Sequence, residues 1–150
     1  MNSEIAEYRV PFADTDAMGI VYHAHYVRYL EIGRVRWMDR YDRPYREYMN
    51  EGMHFATTRV EVDYLRPAEF DDVIAVETWL DWIRGASLGM AYELRRGDVV
   101  LVRAATVHAL VDSDGRPRPI PRDRRDALKT LAARSASDAR RASGTGSRSR

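Results

Sequence analysis

The sequence predicts an α+β domain in which an antiparallel sheet of about five strands curves around one long helix. Three observations carry this expectation. Residues 24–41 place Tyr26, Leu30, Gly33, Trp37 and Tyr41 at spacings of three and four, the period of a helix with one apolar face. Beyond residue 59 the period changes to two, with Val60, Val62 and Tyr64 alternating against Arg59, Glu61 and Asp63. The runs that follow are joined by short turns, which cannot hold the crossovers of a parallel sheet. A sheet half covered by a single helix leaves open edges, so dimerisation is expected.

Taken in order, Glu4–Phe12 alternates loosely and reads as a first strand, and Asp14–His25 as a loop turning at Met18-Gly19. The helical stretch follows, with Arg28, Glu31, Arg34 and Asp39 on its polar side, until Pro44 ends it. Pro44 opens a short helix that Gly52 closes. After the strand at Val60–Tyr64, Ile74, Val76, Thr78, Leu80 and Trp82 share one strand face. Leu88, Met90, Tyr92 and Leu94 share the next, across a turn at Arg84-Gly85. Arg96-Gly97-Asp98 is a second turn, leading into the apolar run Val99–Val111. Asp112–Gly115 and the prolines at 117, 119 and 121 end the sheet, and a short helix near Asp123–Ala133 closes the domain.

With 150 residues there is room for one domain, assigned to residues 1–133. Residues 134–150 hold five arginines and one aspartate, a net charge of +4, and no apolar side chain larger than alanine. Such a segment cannot bury enough surface to offset its ordering entropy and is expected to be a disordered basic tail. The first 133 residues then carry 19 basic and 22 acidic groups, or −3. A mildly acidic domain argues against nucleic acid as a partner. The chain contains no cysteine, which excludes disulfides, thiol nucleophiles and cysteine-ligated metals. No apolar run reaches the roughly 20 residues of a transmembrane segment, and the first residues lack the marks of a secretory signal. A cytoplasmic location is expected.

The segment from Phe12 to Tyr26 is unlike the rest, with two carboxylates, two histidines and a glycine just before a helix. Three readings stand side by side. Asp14, Asp16, His23 and His25 are potential metal ligands, although no carboxylate–histidine pair has the spacing of helix-borne sites. The same residues can serve the loop itself through Asx and ST turns. Finally, a carboxylate beside a helix N-terminus suits acyl transfer. It acts as nucleophile or as general base on water, and free N–H groups accept the developing oxyanion. No Gly-x-Ser-x-Gly occurs, so serine hydrolase chemistry has no support.

Asp14-Thr15-Asp16, Gly19-Ile20-Val21, Tyr26, and Glu31 with Arg34 resemble the signature of the 4-hydroxybenzoyl-CoA thioesterase family. Tyr22-His23-Ala24-His25-Tyr26 is most similar to the acyl-CoA thioesterases associated with the Tol-Pal system. The resemblance continues through Asp63–Ala68, Asp71-Asp72 and Asp114–Pro121. It implies the hotdog fold, an antiparallel sheet wrapped around a long helix, and an acyl-CoA thioesterase with no metal and no cofactor, coenzyme A being part of the substrate. Acyl carrier protein can replace coenzyme A in some relatives. Asp16 is then the catalytic residue, Gly19 turns the chain, and the backbone N–H of His23 is the oxyanion donor. Asp14 orders the loop, His25 is structural, and Tyr26 belongs to the substrate site. Arg59, Arg66 and Arg84 are candidates for the phosphates of coenzyme A, and Ser87 for orienting water or substrate. Each also reads as an ordinary strand residue. Met18 departs from the family by standing where relatives carry a small residue or proline.

Two other classes share this fold. Hydratases and dehydratases resemble one another in an aspartate followed five positions later by histidine. Here those positions hold Val21 after Asp16 and Gly19 after Asp14. A non-catalytic acyl-binding or regulatory protein is the other alternative, expected to lose the carboxylate that Asp16 retains.

Overall fold

The computed structural model describes residues 2–144, with side chains through residue 133. Among the described residues the sheet has five antiparallel strands. They are β1 (Ser3–Arg9), β2 (Met53–Tyr64), β3 (Val73–Arg84), β4 (Ser87–Arg96) and β5 (Val99–Asp112), in spatial order β1-β3-β4-β5-β2. Gly85 and Gly97 close the β3–β4 and β4–β5 hairpins with φ of 59° and 58°, a left-handed conformation that costs glycine little. Helix α1 (Tyr26–Tyr41) lies across β1 and β3, and α2 (Tyr45–Asn50) follows. Helix α3 (Arg122–Gly144) packs against β3.

Burial explains the placement of α1. Tyr26, Tyr29, Leu30, Gly33 and Trp37 form its buried stripe. A Cβ on Gly33 would collide with Thr78 Oγ1 and come within 2.7 Å of Val76 Cγ1, so glycine sets how closely α1 approaches β3. Trp37 Nε1 donates to the Asn2 carbonyl at 3.0 Å and Tyr41 OH to that of Ser3 at 3.1 Å, tying the far half of the helix to β1. Asp42, at the end of α1, accepts from Arg124 Nε of α3 and from Tyr48 OH of α2, each at 2.7 Å.

Four differences from the sequence reading have physical causes. Helix α1 starts at Tyr26 rather than near Ala24, because His23–His25 form a 3₁₀ turn that feeds into it. Strand β2 starts at Met53, where the sequence shows no clean alternation. Val60 and Tyr64, which alternation assigned to a buried face, are 39% and 48% exposed. They lie on an edge strand that α1 covers only in part, with the Tyr64 ring against Tyr26. Lastly, α3 does not stop at Ala133. The backbone stays helical to Gly144, through a run rich in alanine and arginine that contains no glycine or proline before that residue. Of the segment 134–150 assigned as a tail, the backbone as far as Gly144 is helix, and residues 145–150 lie outside the described part.

Candidate active site

The loop between β1 and α1 is built around Asp14. Its side chain is buried and accepts hydrogen bonds from Arg28 Nη2, from Tyr29 OH at 2.7 Å and from Tyr8 OH at 3.3 Å. Burial alone would raise its pKa. The bonds from Arg28 and Tyr29 outweigh that and hold the carboxyl below the usual carboxylate range. Burial and the Asp14 charge push the Tyr29 phenol up in turn. With its oxygens so occupied, Asp14 is not free to be a metal ligand alongside Asp16, His23 and His25. Among the described residues no three His, Cys, Asp or Glu side chains converge as a metal site.

From this anchor the chain makes a narrow hairpin. Thr15 bridges to Val21, Asp16 N–H donates to Ile20 O at 2.9 Å, and Gly19 N–H donates to Asp16 O at 3.0 Å with φ of 79°. The hairpin is held to the loop between β2 and β3 by the Ile20–Glu69 bridge and by Val21 N–H donating to Ala68 O at 2.8 Å. Asp16 is thereby fixed at its tip, half-buried. Met18 N–H donates to Asp16 Oδ1 at 2.8 Å, an Asx turn that orients the carboxylate. Among the described residues Asp16 Oδ2 accepts no hydrogen bond.

Asp16 and His23 line one cleft of about 380 Å³, together with Met18, Ile20, Tyr26 and Tyr64. The His23 N–H opens the 3₁₀ turn that leads into α1 and makes no hydrogen bond among the described residues. Tyr64 OH donates to the His23 carbonyl at 2.7 Å, which pins the turn from the β2 side. The cleft therefore pairs a half-free carboxylate with an unengaged backbone donor at a helix start, over apolar walls. That pairing suits nucleophilic or base chemistry on a carbonyl carbon.

The other residues singled out in the sequence divide sharply. Tyr26 is in the cleft, but it is 2% exposed and its hydroxyl accepts from Ala68 N–H at 3.2 Å, so it acts as a wall. Burial raises its pKa. Of the three candidate arginines only Arg66 reaches the cleft. Arg59 is exposed on β2 and pairs with Glu61. Arg84 and Ser87 face each other across the β3–β4 hairpin, roughly 35 Å along β3 from the end that carries the Asp16 loop. Within one chain, neither meets Asp16. Tyr64, Leu65 and Pro67 complete the cleft although the sequence reading gave them no site role. Their signal was the run Asp63–Ala68, which overlaps the end of β2.

Fold and site together define a hotdog protein with the makings of a hydrolase. The chain matches the thioesterase-like superfamily over residues 10–129. It belongs to that superfamily and is, in class, a thioester hydrolase. It is 32% identical over 116 residues to the Escherichia coli acyl-CoA thioester hydrolase YbgC, covering 76% of this chain and 87% of that one. A protein of known structure from Thermus thermophilus is 31% identical, with a TM-score of 0.80 over 86% of this chain and 97% of that one. A DHNA-CoA thioesterase from Staphylococcus aureus shares the fold at a TM-score of 0.86 and 20% identity, over 91% of this chain and 95% of that one. Among the described residues no helix is long and apolar enough to cross a membrane.

Proposed function

We propose that the protein hydrolyses acyl-CoA thioesters to a free acid and coenzyme A in the cleft at Asp16. The observation that carries this reading is that Asp16 and His23, whose backbone N–H is unengaged, line one cleft. The thioester carbonyl oxygen points at the His23 N–H, which takes up negative charge as the carbon becomes tetrahedral. Asp16 Oδ2 either attacks that carbon or removes a proton from the water that attacks it. The carbon–sulfur bond then breaks, and the thiolate departs without a strong acid to assist it. If Asp16 is the nucleophile, a water next hydrolyses the mixed anhydride and restores the carboxylate. That Arg66 lines the cleft supports a role for it in holding a phosphate of coenzyme A, with Met18, Ile20 and Leu65 as apolar contacts for the rest of the substrate. Gly19 and Asp14 act on position alone, by shaping and anchoring the hairpin.

The active form is a homodimer or homotetramer, a reading supported by the exposed Val27, Val35, Val60 and Tyr64 on α1 and β2. The absence of cysteine fits a cytoplasmic site of action. Free-thiol release from a panel of acyl-CoA thioesters, run beside a crotonyl-CoA hydration assay, tests the function. Thioester cleavage without hydration is the expected result. Binding of the thioesters without cleavage would favour the non-catalytic alternative. His23→Ala keeps the backbone donor and is expected to stay within tenfold of wild type.

A further inference from the structure

Arg28 stands in the first turn of α1 and does not line the Asp16 cleft. Its guanidinium serves two partners, donating from Nη1 to Tyr8 OH at 2.9 Å and from Nη2 to Asp14 Oδ1. A guanidinium only donates, so the Tyr8 oxygen accepts here and its own hydrogen goes to Asp14 Oδ2. Tyr29 OH donates to the same oxygen. The Tyr8 and Tyr29 rings lie 4.7 Å apart, and the guanidinium carbon is 5.7 and 5.4 Å from their centres, within cation–π range. Strand β1, helix α1 and the loop between them thus converge on one carboxylate.

The same aspartate touches both halves of the site. Its chain runs two residues on to Asp16, and its carbonyl accepts from Tyr22 N–H at 2.9 Å, one residue before the His23 N–H. Holding Asp14 therefore holds both the carboxylate and the donor of the cleft. An ionised Asp14 also bears on its neighbour. Thr15 between the two aspartates is extended, which sets their Cα atoms about 7 Å apart, and like charges that close oppose each other's ionisation. Arg28 is the one cation bonded to Asp14 among the described residues. The other titratable neighbours are Tyr8, Tyr29 and His25 at Asp14, then His23, Tyr26, Tyr64 and Arg66 in the cleft, and Glu69 across the Ile20 bridge. Of these only Arg66 is permanently cationic, and it is exposed, where solvent screens it.

We propose that Arg28 is a positioning residue for the reaction, cancelling the charge of Asp14 so that Asp16 is left as the one uncompensated carboxylate of the loop. The inference rests on the reading of Asp16 as the reacting group. Arginine suits this place for two reasons. It stays charged at every working pH, and its planar fork reaches Tyr8 and Asp14 at once. A lysine would supply the charge without both contacts.

Carboxyl-carbon NMR titration of Asp16 in the full chain, run beside the pH dependence of kcat/KM for an acyl-CoA thioester, tests this. In Arg28→Gln the Asp16 carboxyl is expected to titrate about one pH unit higher than in wild type, and the acid limb of kcat/KM to move with it. Asp14→Asn moves both the other way. Arg28→Lys keeps the charge and returns most of the shift. The double variant Arg28→Gln/Asp14→Asn removes both charges and brings the titration back to its wild-type position. A merely structural role predicts no such reversal, since losing two contacts would only add to the damage. Should Arg28→Gln fail to fold, Asp14→Asn and Arg28→Lys still read the sign. An Asp16 titration that Arg28→Gln leaves unmoved, or that Asp14→Asn moves upward, overturns the proposal. A shifted carboxyl with an unmoved kcat/KM limb bears out the charge compensation and overturns instead the reading of Asp16 as the reacting group.

Discussion

Two aspartates two positions apart have opposite surroundings. Asp14 is 5% exposed and bonded to Arg28, Tyr29 and Tyr8, whereas Asp16 keeps one oxygen free in a cleft. Asp14→Asn breaks a buried charged contact, and is expected to lower the melting temperature by several degrees while leaving measurable turnover. Thermal denaturation with an activity assay on the same preparation checks this. A second residue sets a pH dependence. In the unfolded chain His108 titrates near its ordinary value of about 6.5, but in the folded state near 4. Between those values the unfolded state binds the extra proton, so His108's contribution to stability is complete above about 6.5 and falls as pH drops toward 4. The loss is on the order of 3 kcal/mol. Denaturant melts at pH 7 and pH 4.5 measure it, and His108→Asn is expected to remove that part of the slope.

At the scale of elements, Gly33 carries the contact between α1 and β3. Gly33→Ala has better intrinsic helix propensity, yet it drives a methyl group into Thr78 and Val76. Overpacking of this kind costs about 1–3 kcal/mol, and urea melts are expected to show that loss. An unchanged midpoint would mean that the helix can lift off the sheet freely. Helix α1 was legible in the sequence because its apolar residues repeat every three to four positions over four turns. Strand β2 was only half legible. Its alternation was read correctly, but alternation names a face and not what covers it, and Val60 and Tyr64 stay 39% and 48% exposed on that face. The hairpin at Asp16 was legible as a motif before a helix. Arg84 and Ser87 lie far from Asp16 within one chain, because the register of β3 and β4 decides which end of the sheet they occupy.

For the whole molecule, the sheet ends at β1 and β2, and apolar side chains stand exposed on β2 and on α1. Exposed strand edges and apolar surface of this kind favour association. Sedimentation at micromolar concentration is expected to give a dimer or tetramer, and a fully active monomer would refute that. The central claim, however, is that one carboxylate performs the chemistry, and replacing it tests this most directly. Asp16→Asn keeps the size of the side chain and the oxygen that accepts from Met18 N–H, and removes the charge. With folding confirmed by circular dichroism, kcat for the best acyl-CoA substrate is expected to fall by roughly two to four orders of magnitude. That is about 3–5 kcal/mol of barrier, with KM little changed. A folded Asp16→Asn enzyme whose kcat stays within about fivefold of wild type would contradict the account.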